Sequence, residues 1–145
     1  MVKAKDIAAI GILAAAAAGI IYLVTKVTAK EGEINVKKYI SVDDCYVDKN
    51  HVKRGDKITI TAVFTNHSNK KFEGTWNFAT IKSGGGVHAP IIIGPGQTKG
   101  DAQTYTIPND AETGKWYAIE IYVGYPPPSK NYTVKVFPER IYVEG

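Results

Sequence analysis

Cysteine is nearly absent from this chain of 145 residues, where Cys45 stands alone. One thiol closes no internal disulfide and builds no multi-cysteine zinc or iron–sulfur centre, so packing alone must hold the fold. Histidine is scarce as well. His51, His67 and His88 fall in separate stretches without paired metal-ligand spacing. Charged residues are only 22% of the chain, and the net charge of +4 is unevenly placed. Lys3, Lys5, Lys26 and Lys30 against Asp6 give residues 1–30 a balance of +3, which leaves +1 for everything after them. A nucleic-acid binder concentrates Lys and Arg on its folded part, so no nucleic-acid partner is expected. The sequence shows no nucleophile beside a base and no separated carboxylate pair in glycosidase context. No catalytic residue, metal site, cofactor or small-molecule substrate is expected, and the chain reads as a non-enzyme.

What is present begins with an apolar run, IAAIGILAAAAAGIIYLVT, with no charged side chain from Ile7 to Thr25. As a helix its roughly 18 residues span about 27 Å, close to the ~30 Å hydrocarbon core of a bilayer. Residues 1–30 are therefore expected to form a hydrophobic, transmembrane-type helix that meets a lipid bilayer through residues 7–24. Gly11, Ala15 and Gly19 recur every four residues, a spacing that lets helices approach closely and points to self-association. A cleaved secretory signal, a pilin-type leader and a buried soluble helix are the competing readings of this run. Flanking positive charge alone favours a cytoplasmic domain. The triplets Asn66-His67-Ser68 and Asn131-Tyr132-Thr133 match the glycosylation pattern and, with the kind of domain that follows, favour a single-pass placement with that domain outside the cytoplasm.

From residue 31 the hydrophobic period falls to two. Ile34, Val36, Ile40 and Val42 alternate with polar residues, with Cys45 in a turn behind them. KITITAVFT sets Ile58, Ile60, Ala62 and Phe64 on one face. TWNFATI aligns Trp76 with Phe78, and TYTI aligns Tyr105 with Ile107. WYAIEIYV opposes Tyr117, Ile119, Ile121 and Val123 to Trp116, Ala118, Glu120 and Tyr122, and YTVKVF aligns Tyr132, Val134 and Val136. Alternation of this kind marks strands with one buried face. Turn-forming clusters separate the runs, so about seven short strands in an antiparallel β-sandwich over residues 31–145 are expected.

Gly55-Asp56 before KITITAVFTNHSN, Pro95-Gly96-Gln97-Thr98, and YTIPNDAETGKWYAIEIYV resemble immunoglobulin-like modules of the cell-adhesion-related (CARDB) type. Such modules occur on archaeal and bacterial surface proteins and in structural proteins of archaeal viruses. The resemblance spans roughly Ile34 to Val143. It implies a mainly β, immunoglobulin-like fold and names no ligand.

Several stretches invite a functional reading and a plainer one. Ser83-Gly84-Gly85-Gly86 lacks the strand-to-helix context of a phosphate loop and reads as a loop. Asp43, Asp44 and Asp48 lack the alternation and central Gly of a calcium loop and read as a solvated turn. The aromatic content is more telling. Trp116, Tyr122, Tyr125 and the stiff Pro126-Pro127-Pro128 run, together with Ile91, Ile92 and Ile93, form a candidate contact surface. The expected function is structural: copies joined through the sandwich into a surface layer, virion, filament or adhesive assembly, with homo-oligomers as partners. A pilin-like filament subunit with the apolar helix in the fibre core is one alternative. A carbohydrate-binding module is another, and it needs Trp116, Tyr122 and Tyr125 to lie exposed and coplanar.

Overall fold

The computed structural model describes residues 32–145. Eight strands appear among them: β1 Ile40–Val47, β2 His51–Val52, β3 Lys57–Asn66, β4 Phe72–Ala79, β5 Ala89–Ile93, β6 Thr98–Thr106, β7 Lys115–Gly124 and β8 Tyr132–Val143. They form two sheets, a three-stranded one ordered β1-β3-β6 and a five-stranded one ordered β2-β8-β7-β4-β5. Every pairing is antiparallel except β2 with β8, which is parallel.

The inner faces follow from the alternation. Ile58, Ile60, Ala62 and Phe64 of β3 are fully buried against Trp76 and Phe78 of β4 and Ile119, Ile121 and Val123 of β7. The rings of Phe64 and Trp76 lie 5.7 Å apart across the sheets. Burial of each such side chain is worth roughly 1.5–3 kcal/mol, so this shared layer is what binds the two sheets into a sandwich.

Strand β6 works differently, because its inward row is the polar set Asp101, Gln103 and Tyr105. The Trp76 indole N–H donates to Asp101 Oδ2 at 2.7 Å. Gln103 Nε2 donates to the Trp76 and Val87 carbonyls, and its Oε1 accepts from Val87 N at 3.0 Å. Hydrogen bonds thus close the flank of the sandwich between β6 and β5, where apolar packing runs out.

The structure corrects three expectations about the start of the domain. Ile34 to Val42 is not one strand: Asn35 caps a single helical turn, α1, Val36–Tyr39, accepting from Lys38 N at 3.3 Å, and the strand starts only at Ile40. Cys45 lies within β1 and not in a turn. A register shift between Val42 and Asp44 changes the parity of the strand, so Val42 and Cys45 both face the core. Asp43 and Asp44 sit on this same irregular strand, Asp43 accepting from Ser41 Oγ at 2.7 Å and from Thr65 Oγ1, and Asp44 accepting from Cys45 N at 2.8 Å.

The expected single-pass membrane placement is also corrected. Among the described residues no helix is long and apolar enough to cross a membrane. The four residues of α1 rise only about 6 Å. Residues 7–24, on which that placement rested, and the Gly11, Ala15 and Gly19 ridge, read as a self-association motif, lie outside the described residues.

Candidate interaction surface

The outer face of the five-stranded sheet is built mainly by β7 and β8, whose register sets Glu120 opposite Val136, Tyr122 opposite Val134 and Gly124 opposite Tyr132. On β7 the inner row is fully buried, so Glu120 and Tyr122 look outward. Tyr122 donates to Glu120 Oε1 at 2.7 Å, and this bond to a carboxylate, with burial second, raises the phenol's pKa.

On β8 the alternation runs opposite to expectation. Tyr132, Val134 and Val136 are 44%, 44% and 52% exposed and form the outer row, not a buried stripe. Position in the sheet explains the reversal. β2 pairs only with Tyr142 and Val143, so among the described residues Tyr132 to Phe137 form a sheet edge with no strand beside it. The inner side of that edge carries Thr133, the exposed Lys135 and the buried Phe137. Lys135 Nζ and the Arg140 guanidinium lie 5.3 and 5.4 Å from the centre of the Phe137 ring.

The other sheet edges are blunted in ways that oppose strand addition. On β5, Pro90 supplies no N–H, and the Ile92 carbonyl accepts from Lys99 Nζ at 3.1 Å. On β1, Arg140 Nε donates to the Cys45 carbonyl at 3.0 Å beside the register shift. β2 is two residues long, and β6 is polar over Thr98 to Thr104.

The expected contact residues do not form one surface. Ile91 and Ile93 are buried and only Ile92 is exposed, so the triple-Ile run is an ordinary edge strand. Trp116 stands near the far end of β7, opposite Tyr142, with its ring 5.5 Å from His51 and 5.4 Å from Tyr142. Tyr125 packs on Phe72 at 5.3 Å, and its hydroxyl accepts from Ile34 N at 3.1 Å; burial raises its pKa. Pro126, Pro127 and Pro128 are exposed. Trp116, Tyr122 and Tyr125 therefore make no common platform.

Neither sequon asparagine presents its amide. Asn66 is fully buried and its Nδ2 donates to the Lys70 and Ile93 carbonyls at 2.7 and 2.9 Å. Asn131, 2% exposed, donates through Nδ2 to the Ile34 carbonyl at 2.8 Å and to Glu33 Oε1 at 3.2 Å, and its Oδ1 accepts from Val36 N at 3.0 Å. Both are internal brackets of the folded domain.

Between β4, β7 and the loop after Gly124 lies a depression of about 290 Å³, with Thr75, Asn77, His88, Tyr122, Ser129 and Tyr132 among its lining residues. Its residues come from three separate stretches, 75–77, 88 and 122–132, and of these sequence reasoning had singled out Tyr122, Tyr125 and Pro127 without the rest. Its floor needs Gly124, where an added Cβ would overlap the Tyr132 Cβ.

No family model matches the chain, and no curated protein does, so the CARDB resemblance rests on the quoted motifs alone. Among solved structures, the sporulation control protein Spo0M of Bacillus subtilis is similar at a TM-score of 0.54 and 15% identity. The match covers 74% of this chain and 50% of Spo0M, so the chain spans half that protein's length. This likeness supports a β-rich fold and nothing about activity. A cycloisomaltooligosaccharide glucanotransferase of Paenibacillus sp. follows at a TM-score of 0.48 and 23% identity, covering 72% of this chain and 14% of that one. The β-glucosidase EmGH1 of Erythrobacter marinus matches at 0.47 and 11%, covering 68% and 15%. At those scores the likeness is too slight to build on.

Proposed function

We propose that this chain is a non-enzymatic, immunoglobulin-like structural protein whose β-sandwich joins copies of itself into an assembly. The supporting observation is the Tyr132, Val134 and Val136 row, apolar and exposed on an edge whose stretch 132–137 holds one charged residue, Lys135, and no proline. A second copy adding antiparallel along this edge pairs backbone with backbone while covering the apolar row. Directly opposed residues share a face, so two symmetric registers are close at hand. One sets Lys135 against Lys135. The other sets Val134 against Val134, Tyr132 against Val136 and Thr133 against Lys135. Like charges directly opposed are destabilising and each favourable cross-strand pair contributes roughly 0.2–1 kcal/mol, so the second register is the one expected.

The test is the mass of the full chain in solution by light scattering, for the wild type and for Val134→Lys. Wild type should associate with rising concentration, and the variant should shift to a smaller species at an unchanged melting temperature. A wild type that stays monomeric at the highest concentration that remains clear overturns the reading.

A further inference from the structure

We propose that the depression between β4, β7 and the loop after Gly124 is a binding site for a neutral saccharide ring. The proposal goes beyond the assembly reading and does not depend on it. The lining argues by elimination. None of its side chains is a carboxylate, an ammonium or a guanidinium. A phosphate or nucleotide would need donors of positive charge, and a metal cation would need clustered anionic oxygens. Neither exists there. A hydrocarbon ligand fits poorly, because Thr75, Asn77 and His88 bring hydroxyl, amide and imidazole groups that have no hydrogen-bond partner among the described residues. These groups form hydrogen bonds only with what enters from outside.

The remaining match is a molecule with hydroxyls around its rim and C–H groups on its faces. Tyr122 and Tyr132 supply the apolar part. Their ring centroids are 6.4 Å apart and inclined at 47°, so one serves as a floor and the other as a side wall. Tyr122 is held in place through its bond to Glu120, so its ring is presented in a fixed pose. Thr75 and Asn77 stand on β4 next to β7, where the Asn77–Tyr122 and Thr75–Gly124 pairs of the ladder put amide and hydroxyl beside the aromatic surface. A space of about 290 Å³ is at the small end of ligand sites and suits one pyranose ring. Glycoside cleavage needs two carboxyl groups flanking the bond, and Glu120, engaged by Tyr122, is not one of the lining residues. The site recognises and does not cut.

The experiment is isothermal titration calorimetry of the full chain with cellotriose, laminaritriose, maltotriose, chitotriose and mannotriose in turn. At least one should bind with a Kd of about 1 mM or tighter. Asn77→Ala and Tyr132→Ala should each weaken that binding roughly tenfold while leaving the melting temperature in place, since each removes one hydrogen bond or one aromatic contact. Tyr132 belongs to both surfaces, so the separation rests on two other variants: Val134→Lys should leave sugar binding unchanged, and Asn77→Ala should leave the association of copies unchanged. Absence of heat with all five sugars overturns the inference. So does binding that survives both Asn77→Ala and Tyr132→Ala.

Discussion

Trp76 and Asp101 join the two sheets through a hydrogen bond, indole N–H to carboxylate at 2.7 Å, beside the bond from the Gln103 amide to the Trp76 carbonyl. With Asp101 in place the indole is 1% exposed, and Asp101 itself is half-buried at the flank of the sandwich. Asp101→Ala should cost about 1–3 kcal/mol, the penalty for a buried donor left unpaired. The check is a denaturant melt of the full chain, and a loss under 0.5 kcal/mol would show that the bond carries little. Asp101→Asn, which keeps an acceptor, should fall between the two.

Tyr105 presents the opposite case. Its ring packs edge-on against Phe78 at 5.5 Å, but its hydroxyl is buried without a hydrogen-bond partner among the described residues. Burial raises its pKa. Tyr105→Phe keeps the ring and discards the unmatched oxygen, so stability should stay level or rise by about 1 kcal/mol. A clear drop in melting temperature would mean that the hydroxyl has found a partner.

Cys45 is 1% exposed, and burial pushes its thiol pKa from 9.0 up to about 12; the nearby Arg140 charge lowers it and Asp44 raises it, both less strongly. The folded thiol should resist alkylation at pH 8 and react only after unfolding. The pH effect has a definite sign. Below pH 9 both states hold the proton and stability is unaffected. Between about 9 and 12 the unfolded thiol ionises while the folded one does not, so stability falls with rising pH, by at most about 1.4 kcal/mol per unit. Against a Cys45→Ala reference, the difference in stability should be flat up to pH 8.5 and shrink above 9. A flat difference up to pH 11 would sink this account.

The strands that pack on both neighbours were legible from sequence. In KITITAVFT and WYAIEIYV every second residue meets the opposite sheet, so composition alternates with burial. At the margins of the sheets that link breaks. Tyr132, Val134 and Val136 carry the same pattern but lie outside, because Lys135 rather than a hydrophobe holds the inner side of the edge. β6 was seen only as its last residues, since its inward Asp101 and Gln103 are polar and look like a loop. The depression depends on neighbours across the sheet, and the sequence offered Tyr122, Tyr125 and Pro127 of it but not Thr75, Asn77 or His88. Asn66 and Asn131 matched a three-letter pattern that says nothing of whether the amide is already engaged.

The Asn131 bracket also decides how the domain would carry a mechanical load. Tension applied at Glu33 enters the fold at Ile34 and Val36, which Asn131 ties to the first residue of β8, while tension at Gly145 enters just past its last residue. The line of force then runs lengthwise down β8. The covalent backbone of β8 carries that tension, and the Asn131 hydrogen bonds to Ile34 and Val36 are the non-covalent links in series with it, so they are the first to give way.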